Sequence, residues 1–305
     1  MTEKIKHLTE ELRIRQVGPS RLEMAFQRLG DPAHPPVFLI MGGGAQMYAW
    51  PDGFCKELVN RGLQVIRFDN RDTGLSTHFT DAPVPDLKAA LAGDYSLVSY
   101  TLSDMAADTV GLMDKLGFDR VHLVGASMGG MIAQTIAIEY PERILSLTSM
   151  MSTTGNPEVG QPDFSSLSHI GEPPYADRQG YIRWRINSLK AIGSPGFPFD
   201  EEATARSAGI AWDRDHDPLG MLRQSVAVIK SGDRTPGLHG LKVPTLVIHG
   251  DSDKMVDVSG GRATAEAVPH AELHIYKGMG HGFPKPLWED MAGLIAENVK
   301  RGIPG

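Results

Sequence analysis

Cysteine is almost absent from this chain, which has one, Cys55, among its 305 residues. No intramolecular disulfide can form, so the fold must be stable without covalent cross-links. Cys55 stands in a segment, residues 52–58, that reads as the beginning of a helix. We interpret it as a small buried apolar residue rather than as a nucleophile.

An excess of positive charge, a long apolar run and an apolar amino-terminal segment are also lacking. Lys and Arg number 30 against 37 Asp and Glu, a formal net charge of −7, so a broad basic surface for nucleic acid is not expected. No stretch approaches the ~20 apolar residues that span a bilayer. The charged start, residues 1–7, does not have the form of a secretory signal. We therefore predict a cytoplasmic protein with neither nucleic acid nor a membrane as partner.

What the sequence does contain is an alternation of short apolar runs and longer helical patterns. Five runs are predicted to be strands: residues 37–41, 64–69, 121–124, 245–249 and 273–276. Three amphipathic or apolar stretches are predicted to be helices: residues 101–116, 128–139 and 291–300. Nearly continuous apolar strands that alternate with helices predict an α/β fold, with a mostly parallel sheet covered on both faces.

Residues from about 153 to 240 interrupt this alternation. The segment is rich in proline, has helical patterns at 178–191 and 201–211, and shows no strong strand. We interpret it as a helical insertion, after which the strand pattern resumes at Val243.

The most specific motif is Gly125-Ala126-Ser127-Met128-Gly129, between a predicted strand and a predicted helix. Such a turn is sharp enough to hold the serine in a strained backbone conformation, and glycines on both sides leave room for it. The helix N-terminus favours negative charge that develops beside it. The motif predicts Ser127 as a nucleophile, and the alternative is a turn with only a structural role.

A serine nucleophile needs a base, and in this arrangement an acid and then a histidine follow it along the chain. Gly250-Asp251-Ser252-Asp253 follows the strand at 245–249, and we favour Asp253 over Asp251 as the acid. His281 lies among glycines after the strand at 273–276 and is predicted to be the base. Each of these residues alone would be read as structural, and the ordered set favours catalysis.

The oxyanion formed by serine attack needs two backbone N–H donors. Met128 follows the nucleophile and is predicted to supply one, while Gly43, in the glycine run after the first apolar strand, is predicted to supply the other. A simple tight turn is the alternative for that run. Four neighbouring residues are predicted to line the substrate pocket: Met41, Gly42, Gly44 and Met279.

Three other patterns are interpreted without a catalytic role. His270 and His274 enter a strand, and a strand edge is favoured over a metal site. The polar cluster at 213–217 is interpreted as a solvated loop. The glycine run at 42–44 lacks the Gly-Lys-Ser/Thr of a phosphate loop. We predict no metal and no cofactor, because the chemistry needs only side chains and water.

On these motifs the chain resembles the α/β-hydrolase superfamily over nearly its whole length. The segment at residues 69–76 is similar to the D-x-R-G-x-G-x-S loop of members that carry a cap. Within the superfamily the likeness is to aclacinomycin methylesterases, which hydrolyse a methyl ester on an anthracycline polyketide. It is carried by residues 39–43, 65–74, 124–129, 196–200 and 278–281. Met41-Gly42 stands where the superfamily usually has His-Gly, a departure that leaves the backbone donors untouched.

The resemblance implies a triad of Ser127, Asp253 and His281 and an oxyanion hole of Gly43 and Met128. It also implies a core of residues 1–152 and 238–305, with a helical cap at residues 153–237.

Three functions stay open at this point. The first is a serine hydrolase that cleaves small-molecule carboxylic esters through an acyl-enzyme. The second keeps the nucleophile but acts on a peptide amide, thioester, lactone or C–C bond, and acidic residues at 200–202 keep a peptidase open. The third is a non-catalytic ligand receptor. The oligomeric state does not follow from the sequence.

Overall fold

The computed structural model describes residues 10–168 and 170–303, so the charged start at 1–7 lies outside the described residues. One sheet contains eight strands: β1 (Leu12–Val17), β2 (Leu22–Leu29), β3 (Pro36–Ile40), β4 (Gln64–Phe68), β5 (Val121–Ala126), β6 (Ile144–Met150), β7 (Thr245–Gly250) and β8 (Glu272–Tyr276). Their order is β1-β2-β4-β3-β5-β6-β7-β8. The pairs β1–β2 and β2–β4 are antiparallel, and all the others are parallel.

Helices flank this sheet and also form the insertion. They are α1 (Asp52–Asn60), α2 (Leu87–Leu91), α3 (Leu102–Leu116), α4 (Met128–Glu139), α5 (Phe164–Leu167), α6 (Arg178–Ile192), α7 (Glu201–Arg214), α8 (Gly220–Ser231), α9 (Thr235–Leu238), α10 (Val258–Ala267) and α11 (Trp288–Gly302). The predicted α/β fold with a helical insertion is confirmed, and the insertion contains α5, α6 and α7. Among the described helices none is both long and apolar enough to cross a bilayer.

Two apolar clusters fill the two faces of the sheet. In β3, Phe38 and Ile40 point into one cluster while Val37 and Leu39 point into the other, as the period of two in a strand requires. The first cluster includes the buried faces of α3 and α4, and the second those of α1 and α11. Both faces of the central strands are therefore buried, which explains the nearly continuous apolar run of β3.

The five predicted strands are all present, but β1, β2 and β6 were not predicted. β1 has an antiparallel neighbour on one side only and is largely exposed, so its sequence is polar. β6 is buried, yet its apolar run is interrupted by Ser146, Thr148 and Ser149. A capping box begins α3, since Thr101 and Asp104 bond reciprocally, and Gly117 ends the helix at φ 77°.

Cys55 is fully buried in the second apolar cluster, as predicted. Burial raises the pKa of its thiol to about 11, so the thiolate is not formed at neutral pH. The predicted strand edge at His270 and His274 is also confirmed, because β8 is the last strand of the sheet.

Gly129 lies where α4 passes directly over the end of β3. A Cβ at this position would lie 2.0 Å from Ile40 O, and a Cβ at Gly125 would lie 2.1 Å from Gly129 O. Both contacts are with backbone atoms, which cannot move aside without displacing the strand or the helix. The two outer glycines of the serine motif are thus required for close packing of α4 on the sheet.

We therefore expect Gly129→Ala to lower the free energy of unfolding by about 1–3 kcal/mol or more. The matched control is Gly293→Ala in α11, where the new Cβ meets only Arg61 Nε at 4.0 Å and should stabilise the helix slightly. Urea unfolding of both variants measures the difference. Equal stability of the two variants would contradict the packing argument.

Candidate active site

Ser127 is the residue between the end of β5 and the start of α4, and its backbone lies at φ 57°, ψ −125°. Its N–H donates to Met150 O at 2.9 Å, and its carbonyl accepts from Gly130 N at 2.9 Å and Ser152 Oγ at 2.8 Å. Neighbouring backbone therefore holds a conformation that a non-glycine residue rarely adopts. The strained turn predicted from the motif is present.

Asp253 lies in the loop after β7, with its carboxylate buried. Oδ1 accepts the N–H groups of Met255 and Val256, both at 2.9 Å, and Oδ2 lies 2.8 Å from His281 Nδ1. Asp251 is exposed and instead accepts from Gly278 N at 2.7 Å, which lowers the pKa of its carboxyl. Of the two aspartates, Asp253 is the one that reaches His281.

The loop of His281 is held in place by the end of α6 in the insertion. His281 N donates to Ile192 O at 2.8 Å, and Gly280 N donates to Ser194 Oγ at 2.9 Å. A Cβ at Gly280 would lie 2.0 Å from Gly193 O, so only glycine permits this approach. Because Nδ1 faces the Asp253 carboxylate, the neutral ring carries its proton there and leaves Nε2 unprotonated.

The Ser127 hydroxyl makes no hydrogen bond, to His281 or to any other side chain, within residues 10–168 and 170–303. Gly42 lies against it, since a Cβ at Gly42 would be 3.4 Å from Ser127 Oγ and 2.9 Å from Ser127 Cβ. In ligand-free sites the bond from nucleophile to base is often long and shortens when substrate binds. Ser127 is half-buried, and its hydroxyl lies beside the glycine turn with no hydrogen-bond partner among the described residues.

Residues 42–45 form a turn in which Ala45 N donates to Gly42 O at 3.3 Å. Gly44 has φ +63° and donates its N–H to Gln224 Oε1 at 2.7 Å. Within the described chain, no acceptor pairs with the N–H of Gly43 or with that of Met128. These are the two N–H groups that the sequence predicts as oxyanion donors.

The predicted pocket residues divide into two groups. The Met41 and Met279 side chains are buried in the second apolar cluster and pack in the core. Gly42 and Gly44 belong to the glycine turn. Met221, which the sequence did not single out, covers that turn, with side-chain atoms 3.0–3.1 Å from the Cβ position of Gly44 and 47% of the residue exposed.

The sequence pattern of the α/β-hydrolase fold matches residues 35–284. The chain belongs to the α/β-hydrolase family. Among curated relatives, rhodomycin D methylesterase of Streptomyces peucetius is 26% identical over 94% of this chain and 98% of its own length. A 2-hydroxy-6-oxo-6-phenylhexa-2,4-dienoate hydrolase of Comamonas testosteroni is 28% identical over 80% of each chain.

Solved structures agree with this fold. A meta-cleavage product hydrolase from Pseudomonas fluorescens superposes with a TM-score of 0.71 at 19% identity, covering 98% of this chain and 100% of that one. An esterase from Rhodococcus sp. superposes with a TM-score of 0.69 at 20% identity, covering 94% and 96%. The resemblance predicted from the sequence is confirmed, and this α/β hydrolase has methylesterases, esterases and C–C hydrolases among its homologues.

In the polar cluster at 213–217 of the hydrolase, Asp213 and His216 are exposed, but the prediction of a solvated loop was wrong for Arg214, Asp215 and Asp217, which are partly buried. Arg214, at the end of α7, lies 2.6 Å from the Asp69 carboxylate and 3.0 Å from Glu11, and also bonds Gln46. Burial raises the pKa of Asp69, and the charge of Arg214 opposes that rise. The cluster is ordered because its charged groups attach the insertion to the loop at 69–76, a contact the local sequence does not reveal.

Beside this contact lies a group of possible metal ligands, Asp72, His78 and Asp217, the one such group that the described residues contain. Arg223 occupies it, with Nη2 2.8 Å from Asp72 and 2.7 Å from Asp217. A guanidinium already balances the carboxylates, so these residues do not fit a metal ion.

His78 should stabilise the hydrolase more at acidic than at alkaline pH. Its Nδ1 lies 3.1 Å from Asp217 and its Nε2 lies 3.0 Å from Gly74 O, so the protonated ring donates to both. Burial opposes the charge, but the Gly74 carbonyl and the Asp215 and Asp217 carboxylates outweigh it and raise the pKa. A raised folded-state pKa gives stability that is present below the ordinary pKa of about 6.5 and is lost above the raised one.

We therefore expect His78→Gln to lower Tm more at pH 5.5 than at pH 8.5. The two losses should differ by about 2 °C or more. The control is His34→Gln, at an exposed histidine, which should change Tm little at either pH. Thermal unfolding of both variants at the two pH values measures this. A loss in His78→Gln that is larger at pH 8.5 would contradict the assignment.

Proposed function

We propose that this α/β hydrolase cleaves carboxylic esters through an acyl-enzyme, with Ser127 as nucleophile, His281 as base and Asp253 as the acid that orients the base. The observation that carries the proposal is the 2.8 Å contact between Asp253 Oδ2 and His281 Nδ1. It leaves Nε2 as the acceptor, at the sheet edge where Ser127 stands on a strained turn. The fold family and its esterase members support the same chemistry.

In the mechanism, His281 Nε2 takes the Ser127 proton as the hydroxyl attacks the ester carbonyl. The buried Asp253 carboxylate stabilises the imidazolium that forms, and the N–H groups of Met255 and Val256 hold its other oxygen so that Oδ2 faces His281. The protonated His281 then gives its proton to the departing alcohol. A water activated by the same histidine hydrolyses the acyl-enzyme.

The tetrahedral oxyanion would be bound by the N–H groups of Gly43 and Met128. Both lack another acceptor within the described chain, and Met128 opens α4, so the helix N-terminus adds a favourable field. Gly44 would not serve, because its N–H is already bonded to Gln224.

Residues 153–237 would form a cap, and residues 1–152 and 238–305 would form the core. Two contacts support a role close to the site: the end of α6 holds the His281 loop, and Arg214 of α7 holds the loop at 69–76. Ala227 of α8 packs into the first apolar cluster, so this part of the cap region is built into the core.

A C–C hydrolase is the second candidate, because a dienoate hydrolase is among the relatives, at 28% identity over 80% of this chain, although the methylesterase match is longer, at 94%. A peptidase is less well supported. Asp200 caps α7 through Ala203 N, and Glu201 pairs with Lys190 at 2.5 Å, so two of the acidic groups considered for binding a substrate amine are engaged.

The test is a substrate panel with purified protein: p-nitrophenyl acetate, butyrate and octanoate, 2-hydroxy-6-oxo-6-phenylhexa-2,4-dienoate and proline p-nitroanilide. We expect kcat/KM for the best ester to exceed that for the dienoate and the anilide by at least about 100-fold, a difference of about 2.7 kcal/mol in transition-state binding. Faster cleavage of the dienoate would favour the C–C hydrolase. No turnover of any substrate would favour a receptor and contradict the proposal.

A further inference from the structure

Gln224 of α8 is fully buried, and its side-chain amide joins two loops that meet at the candidate active site. Oε1 accepts the N–H of Gly44 at 2.7 Å, while Nε2 donates to Arg71 O and to Thr73 Oγ1, both at 2.7 Å. The orientation of the amide is fixed, because an N–H can only donate and a carbonyl can only accept. All three partners are thereby satisfied by one side chain.

The glycine turn needs such an external contact. Three consecutive glycines have wide backbone freedom, and the turn is closed by a single 3.3 Å bond from Ala45 N to Gly42 O. Within the described chain, no side chain other than Gln224 hydrogen-bonds to residues 42–44. Its Oε1 lies 4.0 Å from the Cβ position of Gly43, the residue whose N–H is left without an acceptor.

We propose that Gln224 is a positioning residue for the oxyanion hole, an inference that rests on the proposed esterase function. By holding the Gly44 N–H it fixes the turn, so that the neighbouring Gly43 N–H points to the place where the oxyanion forms. Preorganised donors of this kind act on the transition state more than on the bound substrate. Loss of Gln224 should therefore lower kcat and leave KM nearly unchanged.

Gln224→Glu and Gln224→Met separate positioning from simple packing. A protonated glutamic acid can still accept from Gly44 N–H and donate to Arg71 O or Thr73, whereas an ionised one loses both donors and faces a carbonyl. It also places a negative charge beside the developing oxyanion. Methionine has nearly the same shape but neither polar group, at any pH.

The measurement is kcat and KM for the best p-nitrophenyl ester from pH 5.5 to 9, as the ratio of each variant to wild type. Burial raises the pKa of a carboxyl, so a glutamic acid at this fully buried position is expected to be protonated at pH 5.5 and ionised at pH 9. For Gln224→Glu we therefore expect a kcat ratio near one at pH 5.5 that falls about 10–100-fold by pH 9, with KM within threefold. For Gln224→Met we expect a similar loss that does not change with pH. Ser225→Ala, which removes an exposed hydroxyl bonded to its own helix, is the control and should match wild type throughout.

A role in stability alone would lower Tm and leave kcat of the folded protein unchanged, so Tm is measured at each pH. A kcat ratio near one for Gln224→Met at every pH, in an active wild type, would overturn this inference alone. A wild type that turns over no ester would overturn the proposed function and the inference with it.

Discussion

Ser127→Ala should lose about 10⁴-fold or more in kcat for p-nitrophenyl butyrate while the protein stays folded. The hydroxyl is the only part of Ser127 that is removed, and it makes no hydrogen bond to any described residue, so the fold does not depend on it. The backbone bonds that hold the strained turn, from Ser127 N to Met150 O and from Gly130 N to Ser127 O, remain in the variant. Steady-state kinetics and thermal unfolding measure the two effects separately.

The matched control is Ser252→Ala at the same edge of the sheet, which removes a hydroxyl whose one hydrogen-bond partner among the described residues is Asp251. It should keep wild-type kcat within about twofold. Residual activity of a few per cent in purified Ser127→Ala, with contamination excluded by a second preparation, would mean that another group performs the attack.

Asp253→Asn should cost about 10⁴-fold in kcat with little loss of stability, because it forces the wrong tautomer on His281. Oδ1 accepts from Met255 N and Val256 N, so the asparagine carbonyl takes that side and its NH₂ faces His281 Nδ1. Nδ1 must then accept, and the imidazole proton moves to Nε2. A protonated Nε2 cannot take the Ser127 proton, so the base is present but in the unreactive form.

Asp251→Asn is the control for Asp253→Asn, because it makes the same chemical change at the neighbouring aspartate. Asp251 is exposed and bonds Gly278 N and Ser252, outside the contact to His281. Its amide variant should stay within about tenfold of wild type. If Asp253→Asn also stays within tenfold, the aspartate does not control the histidine, and the proposed relay is wrong.

Much of the fold follows from local pattern. Strands such as β3 and β5 are buried on both faces and are therefore almost wholly apolar, which makes them recognisable without any alignment. The motif around Ser127 is recognisable for a related reason. A Cβ at either outer glycine would lie 2.0–2.1 Å from a backbone oxygen, so no residue with a side chain fits there without displacing the strand or the helix.

β6 shows where the pattern fails. It is as central as β5, but it is built with small polar residues whose hydroxyls bond neighbours in the interior. Ser146 Oγ lies 2.8 Å from His122 Nδ1, and Ser149 Oγ accepts from Gln134 Nε2 at 3.2 Å. Burial of hydrogen-bonded polar groups costs little, so the strand needs no apolar run.

The candidate active site also contains some residues that the sequence predicts and others that it does not. The aspartate and histidine could be predicted because each follows a recognisable strand at one sheet edge. Gln224 and Arg214 could not be, since their partners Gly44 and Asp69 stand 180 and 145 residues away and nothing local marks either side chain. Contacts made by an irregular insertion depend on how that insertion folds back, which periodicity does not encode.

Labelling with a fluorophosphonate, followed by peptide mass mapping, shows whether Ser127 is the nucleophile and His281 its base, because the reagent reacts with a serine activated by a base. We expect a single adduct on Ser127 in wild type, none in Ser127→Ala, and labelling slowed by at least about 100-fold in His281→Ala, within the range of base catalysis. An adduct on a different residue, or labelling of His281→Ala at the wild-type rate, would contradict this assignment.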